Sequence, residues 1–363
     1  MYQTTWAEID RSSLLSNIRS LRSRVQPNVA LCGVVKADGY GHGSIEVAQT
    51  MEKEGISFFG VANLREGLEL RRGGIQGEIL VFGWTPPEGF AAALLEGISL
   101  TMFSVLDLEA LNEEAKKQNK KAKIHLKVDT GMNRLGARWD GEILELARQA
   151  SSFSEIQIKG TFSHLYNANE RDDQSVKNQV EKFSHALALL DQAEIKVGIR
   201  HLANSAGTLF YPDTHFDMVR PGEAYYGLSE YPDVIQEPVM TLKTRVAFVK
   251  NLPIGETVGY GGNFQKDQVC LIGSLPVGYA DGWTWAMKGY VIPFQGRKLP
   301  IAGNVCMDQM MIDLTEWKEC KAGDELVLFG KNGAKASEIA EYGKIATLEV
   351  ATRIGKRVPR IYK

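Results

Sequence analysis

The chain has 363 residues, of which 44% are hydrophobic and 24% charged, enough for about two globular domains with sizeable cores. Its formal net charge of −2 gives no basic stripe for nucleic acid or an anionic membrane, so a small-molecule partner is expected. No apolar run reaches the roughly 18 residues of a bilayer span, the N-terminus has no basic start or apolar signal core, and four widely spaced cysteines suit reduced thiols, so a cytoplasmic protein is expected.

A short strand is expected around Trp6 to Asp10, followed by a helix over 11–24 with Leu14, Leu15, Ile18 and Leu21 at helical spacing. Short apolar runs at 31–35, 58–62, 78–82, 100–103, 124–128, 156–162, 199–203 and 216–220 then read as buried strands. Helix-like stretches lie between several of them, at 44–54, 64–72, 105–119 and 173–193. Eight βα units in series favour a closed (β/α)8 barrel over an open doubly wound sheet. Past Tyr231-Pro232-Asp233 the pattern changes. Segments 240–252, 256–260, 268–275, 290–293, 298–301, 310–314 and 325–329 read as β structure, and helix-like stretches follow at 337–342 and 345–354. The expected architecture is a barrel over 11–232 and a mainly β C-terminal domain over 233–363, joined by an N-terminal strand within 1–10.

Lys36 ends the first barrel strand and precedes the turn Gly39-Tyr40-Gly41-His42-Gly43. Most lysines at strand ends are merely solvated. Partial burial at a barrel mouth, however, lowers a lysine's pKa and suits it to Schiff-base chemistry. Three more polar clusters follow later strands: His125-Leu126-Lys127-Val128-Asp129-Thr130-Gly131-Met132-Asn133-Arg134-Leu135-Gly136, His201-Leu202-Ala203-Asn204-Ser205-Ala206-Gly207, and Met218-Val219-Arg220-Pro221-Gly222. Asn204 and Ser205 open a helix-like stretch, where backbone N–H groups receive anions, and phosphate sites recur after the last two strands of such barrels. His164 ends the sixth strand. His164, His201 and His215 lack metal-ligand spacing, so no metal is expected.

The chain closely resembles the alanine racemases, pyridoxal-phosphate enzymes built of a barrel and a β domain. The stretches VVKADGYGHG, KVDTGMNRLG, HLANSAG, VRPG, VGYGG, VGYADGW and CMDQ occur in the family's order between Trp6 and Tyr362. The resemblance implies an isomerase that interconverts L- and D-alanine by two bases and supplies D-alanine for cell-wall peptidoglycan. Lys36 would hold pyridoxal 5'-phosphate and act on one face. Tyr260 would act on the other, reaching the site from the second subunit of a homodimer. Tyr40, Asn204, Ser205, Gly222 and Glu223 would surround the phosphate. His164 and Arg220 would continue a polar chain from the tyrosine to the pyridine nitrogen. Arg134 and the partner-side Met307 would bind the substrate carboxylate, with Tyr279 and Asp308 at the entrance. Lys127 matches a lysine often carbamylated in the family.

Two positions depart from the family pattern. Leu348 stands where a phosphate-touching tyrosine is usual, and Glu223 replaces an aliphatic residue. The first leaves open a serine or broad-specificity racemase. A non-catalytic pyridoxal-phosphate-binding protein fits less well, because the second domain carries Tyr260, Tyr279 and Met307.

Overall fold

The computed structural model describes residues 3–171, 173–231, 234 and 236–363. The expected boundary at Pro232 and Asp233 lies outside the described residues. Two compact units are present, one of Met1–Asn17, Tyr40–Gly43 and Tyr226–Lys363, the other of Ile18–Gly39 and Ser44–Tyr225.

In chain order the strands are β1 (Thr5–Ile9), β2 (Ala30–Val34), β3 (Phe58–Val61), β4 (Glu78–Val81), β5 (Ser99–Met102), β6 (Ala122–Asp129), β7 (Ala137–Arg138), β8 (Ile156–Phe162), β9 (Ile199–His201) and β10 (Met218–Val219). The second unit is the expected parallel barrel, with eight strands in the order β10-β2-β3-β4-β5-β6-β8-β9 and β7 paired on β6. Bonds from Asp217 N to Arg200 O and from Arg220 N to Ala203 O, both 3.0 Å, close the seam between β9 and β10. Phe59, Val61, Ile79, Val81, Ile124 and Leu126 are fully buried, as parallel strands covered on both faces require. The helices start where short polar side chains can cap them. Asn63 caps Leu64–Arg72, Ser104 caps Val105–Gln118 and Asp173 caps Gln174–Gln192.

After Lys36 the expected glycine turn is a left-handed one. Ala37, Asp38, Gly39 and Tyr40 have φ of 53°, 54°, 61° and 54°. Three of the four carry side chains, at roughly 1–2 kcal/mol each. Two bonds fasten the turn: Gly39 N donates to Val35 O at 2.9 Å, and Ser44 N, at the start of helix Ser44–Lys53, donates to Asp38 Oδ1 at 3.0 Å.

The first unit is mainly β. Its strands are β11 (Met240–Arg245), β12 (Phe248–Leu252), β13 (Cys270–Leu275), β14 (Val291–Phe294), β15 (Arg297–Pro300), β16 (Met310–Asp313), β17 (Glu325–Phe329) and β18 (Arg360–Tyr362). β1 lies inside the sheet β17-β11-β1-β18, while β12-β13-β16 form a second sheet and β14-β15 a hairpin. Leu252, Val258, Cys270, Ile272 and Ala302 make a core beneath the second sheet. Segment 256–260 is not the expected strand. Only Thr257 bridges to Gln265, and a tight turn Tyr260–Gly262 follows Gly259, whose φ of 70° breaks an extended run.

Gly41 to Gly43 are held against the C-terminal strand. Arg360 Nε donates to Gly41 O at 2.9 Å and Tyr362 Oη to His42 O at 3.1 Å. At Gly41, φ is +85° and a Cβ would stand 2.2 Å from Ala351 O. Gly41→Ala is therefore expected to lower stability by about 1–3 kcal/mol, measured by urea unfolding. A wild-type midpoint would show that the segment can move aside.

Candidate active site at the barrel mouth

The C-terminal ends of the barrel strands converge on one polar cluster. Lys36 follows β2, Arg134 follows β6, His164 follows β8, and Ser205 and Arg220 follow β9 and β10. This end of a barrel is where catalytic residues gather. Lys36 is half-buried. Burial first, then the Arg134 guanidinium, lowers its pKa; Glu66 opposes the shift, Arg220 adds to it, and Glu223 opposes it. Arg134 is exposed on a loop shaped by Asp129, whose Oδ1 accepts the N–H groups of Gly131 at 2.8 Å and Asn133 at 3.1 Å. Lys127 is 6% exposed, with Nζ 3.2 Å from Val128 O and 4.9 Å above the Phe162 ring. Burial, then Arg220, pushes it down to about 7.

Arg220 is the hub. It is 5% exposed, and burial lowers its pKa to about 10. Nη1 donates to His201 Nδ1 at 2.8 Å. Nη2 donates to Ser163 O at 2.8 Å, Leu202 O at 3.2 Å and, more weakly, His164 Nδ1 at 3.3 Å. Beyond His201, its Nε2 meets His125 Nδ1 at 2.9 Å. A guanidinium only donates, so His201 Nδ1 must accept. His201 then carries its proton on Nε2 and donates it to His125 Nδ1. His201 also stacks on Phe162 at 4.7 Å and 4°. Burial, then the Arg220 charge, holds His125 down to about 3 and His164 and His201 well below the usual imidazole value.

The Ser205 hydroxyl accepts from Gly222 N at 2.9 Å and Ala224 N at 3.3 Å. With both lone pairs used, its own O–H remains to donate. Asn204 turns its side chain inward as the cap of helix Ser205–Phe210, accepting from Gly207 N at 2.9 Å. Glu223 is half-buried at the start of Glu223–Tyr226.

The remaining expected residues belong to the other unit. Tyr40 packs on Tyr226 with ring centroids 4.9 Å apart. Tyr260, Tyr279 and Met307 are 76%, 45% and 53% exposed. Asn304 Nδ2 donates to Tyr260 O at 2.8 Å, and Tyr279 N donates to Cys306 O at 3.1 Å, so loop 304–309 draws these residues together. Asp308 pairs with Arg357 at 2.8 Å. Leu348 is half-buried in helix Thr347–Thr352.

Glu66 was not expected in the site, and His125 and His201, although they stand in the polar clusters at strand ends, were assigned no role of their own. A signal was there for His125. Lys123, His125, Lys127 and Asp129 alternate with Ala122, Ile124, Leu126 and Val128, marking one polar face of β6.

The cluster is cation-rich, with an outward-donating hydroxyl and a buried guanidinium, a set suited to a phosphate and a carboxylate. Residues 9–230 match the family model of the alanine racemase N-terminal domain, and 239–362 that of the C-terminal domain. The chain is 38% identical to the alanine racemase of Desulfovibrio desulfuricans, covering 98% of this chain and 97% of the other. It is 39% identical to that of Symbiobacterium thermophilum, covering 99% and 97%. Among solved structures, alanine racemase from Clostridium difficile 630 superposes with a TM-score of 0.97 at 33% identity, covering 100% of this chain and 96% of that one. Alanine racemase from Bacillus anthracis with bound L-Ala-P gives 0.95 at 31% identity, covering 100% and 96%.

The hub also has a pH signature. A histidine depressed in the folded state binds fewer protons than in the unfolded one, so its stability contribution is present above the unfolded value near 6.5 and is lost as pH falls toward about 3. Nitrogen-15 NMR is expected to show His201 protonated on Nε2 and His125 neutral at pH 5. A charged His125 there would contradict the arrangement. Matching motifs, matching domain models and near-full-length similarity in sequence and structure agree: this chain belongs to the alanine racemase family.

Proposed function

We propose that this chain interconverts L-alanine and D-alanine, with Lys36 and Tyr260 of the partner subunit as bases on opposite faces of the substrate. The observation that carries the proposal is the convergence, at one end of the barrel, of a lysine of lowered pKa with Arg134, Ser205 and a buried Arg220. Pyridoxal 5'-phosphate is the family's cofactor, and the donor set fits it. When bound, it draws electron density from the substrate α-carbon, so that the α-proton can leave.

Lys36 Nζ takes or returns that proton on one face, and the Tyr260 hydroxyl does the reverse on the other, which inverts the centre. Arg134 and the backbone of Met307 of the partner subunit would hold the carboxylate, and Tyr279 and Asp308 of the partner subunit would border the entrance. Tyr40, Ser205 and the backbone N–H groups of Gly222 and Glu223 hold the phosphate, on the loop that Asn204 orders. Arg220 would be the partner of the pyridine nitrogen. A permanently charged guanidinium does not readily release a proton to the ring, which restrains electron withdrawal and side reactions such as transamination. His164 links Arg220 toward the tyrosine. A carbamate on Lys127 would carry negative charge and orient Arg134.

The same proposal makes the working form a cytoplasmic homodimer with shared sites that supplies D-alanine for peptidoglycan, and it treats 11–232 and 233–363 as the two domains. Among the described residues no helix is long and apolar enough to cross a membrane. Leu348 favours one second reading, a racemase of serine or of several amino acids, because it removes a polar wall from the family's substrate pocket.

Purified protein with pyridoxal phosphate is expected to racemise L-alanine fastest in a panel of L-amino acids, and Lys36→Ala to abolish turnover and the cofactor's long-wavelength absorbance. Serine turned over as fast as alanine would favour the second reading, and retained turnover in Lys36→Ala would remove Lys36 from the mechanism. Tyr260→Phe is expected to slow α-proton exchange from L-alanine more than from D-alanine. Equal slowing would refute the assignment of faces.

A further inference from the structure

Glu66 lies in the first turn of helix Leu64–Arg72. Its two carboxylate oxygens take two backbone donors from different strand exits. Oε1 accepts the N–H of Ala37 at 2.9 Å, and Oε2 accepts the N–H of Ala62 at 2.7 Å. Ala62 is the first residue beyond β3, and Ala37 the first beyond Lys36. The helix is already capped by Asn63, whose side chain accepts from Glu66 N at 3.1 Å, so the bond to Ala37 lies outside the needs of the helix.

That bond has work to do elsewhere. Lys36 leaves its strand directly into five successive residues of positive φ, three of them not glycine. Such a conformation persists only when its surroundings over-determine it. Gly39 and Asp38 fasten the far side of the turn, through Val35 O and Ser44 N. Glu66 fastens its first peptide to the neighbouring strand. The carboxylate also faces the lysine's surroundings, where Arg134 and Arg220 bring positive charge and Glu66 and Glu223 negative charge.

We propose that Glu66 is a positioning residue for Lys36: its carboxylate clamps the left-handed turn to the end of β3 and fixes the direction in which the lysine leaves its strand. The inference rests on the reading of Lys36 given above. It adds a residue that touches neither substrate nor cofactor but determines where the base stands.

The test uses Glu66→Gln, which removes the charge and one of the two acceptors, and Glu66→Asp, which keeps the charge and shortens the reach. In Glu66→Gln, kcat is expected to fall by about 10–100-fold with little change in KM or unfolding midpoint. Acylation of Lys36 across pH, followed by mass spectrometry on the full chain before cofactor is added, should show a lower midpoint. Glu66→Asp should restore that midpoint but not kcat. In the wild type, the Ala37 amide should be protected from hydrogen exchange although the residue is exposed. An unchanged kcat and acylation midpoint in Glu66→Gln would overturn the clamp, as would a loss of stability alone. Fast Ala37 exchange in the wild type would overturn it even if no variant folded. An active Lys36→Ala protein would instead refute the role of Lys36 and leave the clamp's geometry standing.

Discussion

A guanidinium buried in a barrel with no carboxylate beside it sets the terms for the residues around it. Among the described residues, Arg220 is solvated by two carbonyls and two imidazole nitrogens, with the rings of Phe82 and Phe162 at 5.9 and 5.3 Å. Buried charge without a counter-ion is expensive, and the polar groups that receive it must stay neutral and accept. His201 can do so only in one tautomer, and that tautomer commits His125. Lys127, on the same face of β6, is pushed toward neutrality by its burial first and then by the same charge. The imidazole chain inside this barrel therefore takes its protonation pattern from one side chain.

Against that cation, the mouth is assembled from short loops fastened by backbone hydrogen bonds. Ser205 gathers the N–H groups of Gly222 and Ala224, Asp129 shapes the approach to Arg134, and Glu66 joins the exits of β2 and β3. In the other unit, Tyr260, Tyr279 and Met307 stand out from turns tied together through loop 304–309. Large apolar and aromatic groups left in water on such turns are the usual mark of a surface that meets another surface.

The barrel strands were readable because each is a short buried run, several of them followed by a helix with a polar cap such as Asn63, Ser104, Asp173 or Asn204. Lys36 and Arg220 were readable because both end such runs. The helices Phe90–Leu95 and Glu142–Ser152 did not stand out. The first is short and uniformly apolar, which periodicity cannot resolve. The left-handed turn was hidden for a different reason: Ala37 and Asp38 are not residues that ask for positive φ, and only their tertiary fastenings impose it. Segment 256–260 had strand-like residues, but Gly259 bends away from the sheet. His125 and His201 stood in polar clusters at strand ends, but their part in the hub depends on partners far along the chain.

The space beside His125 has a consequence for how this barrel can vary. Gly160 on β8 offers only a hydrogen to the ring, and a methyl there would lie 2.4 Å from Nδ1 and 2.6 Å from Cε1. The imidazole thus occupies volume that the neighbouring strand gives up. A methyl at 160 would also stand 2.7 Å from the carbonyl oxygen of Ile199, so a smaller residue at 125 would free only one side of the glycine and the backbone of β9 would still exclude a side chain. Glycine at 160 is thus held by volume from two sides, a ring and a neighbouring strand, where the hub is held by charge.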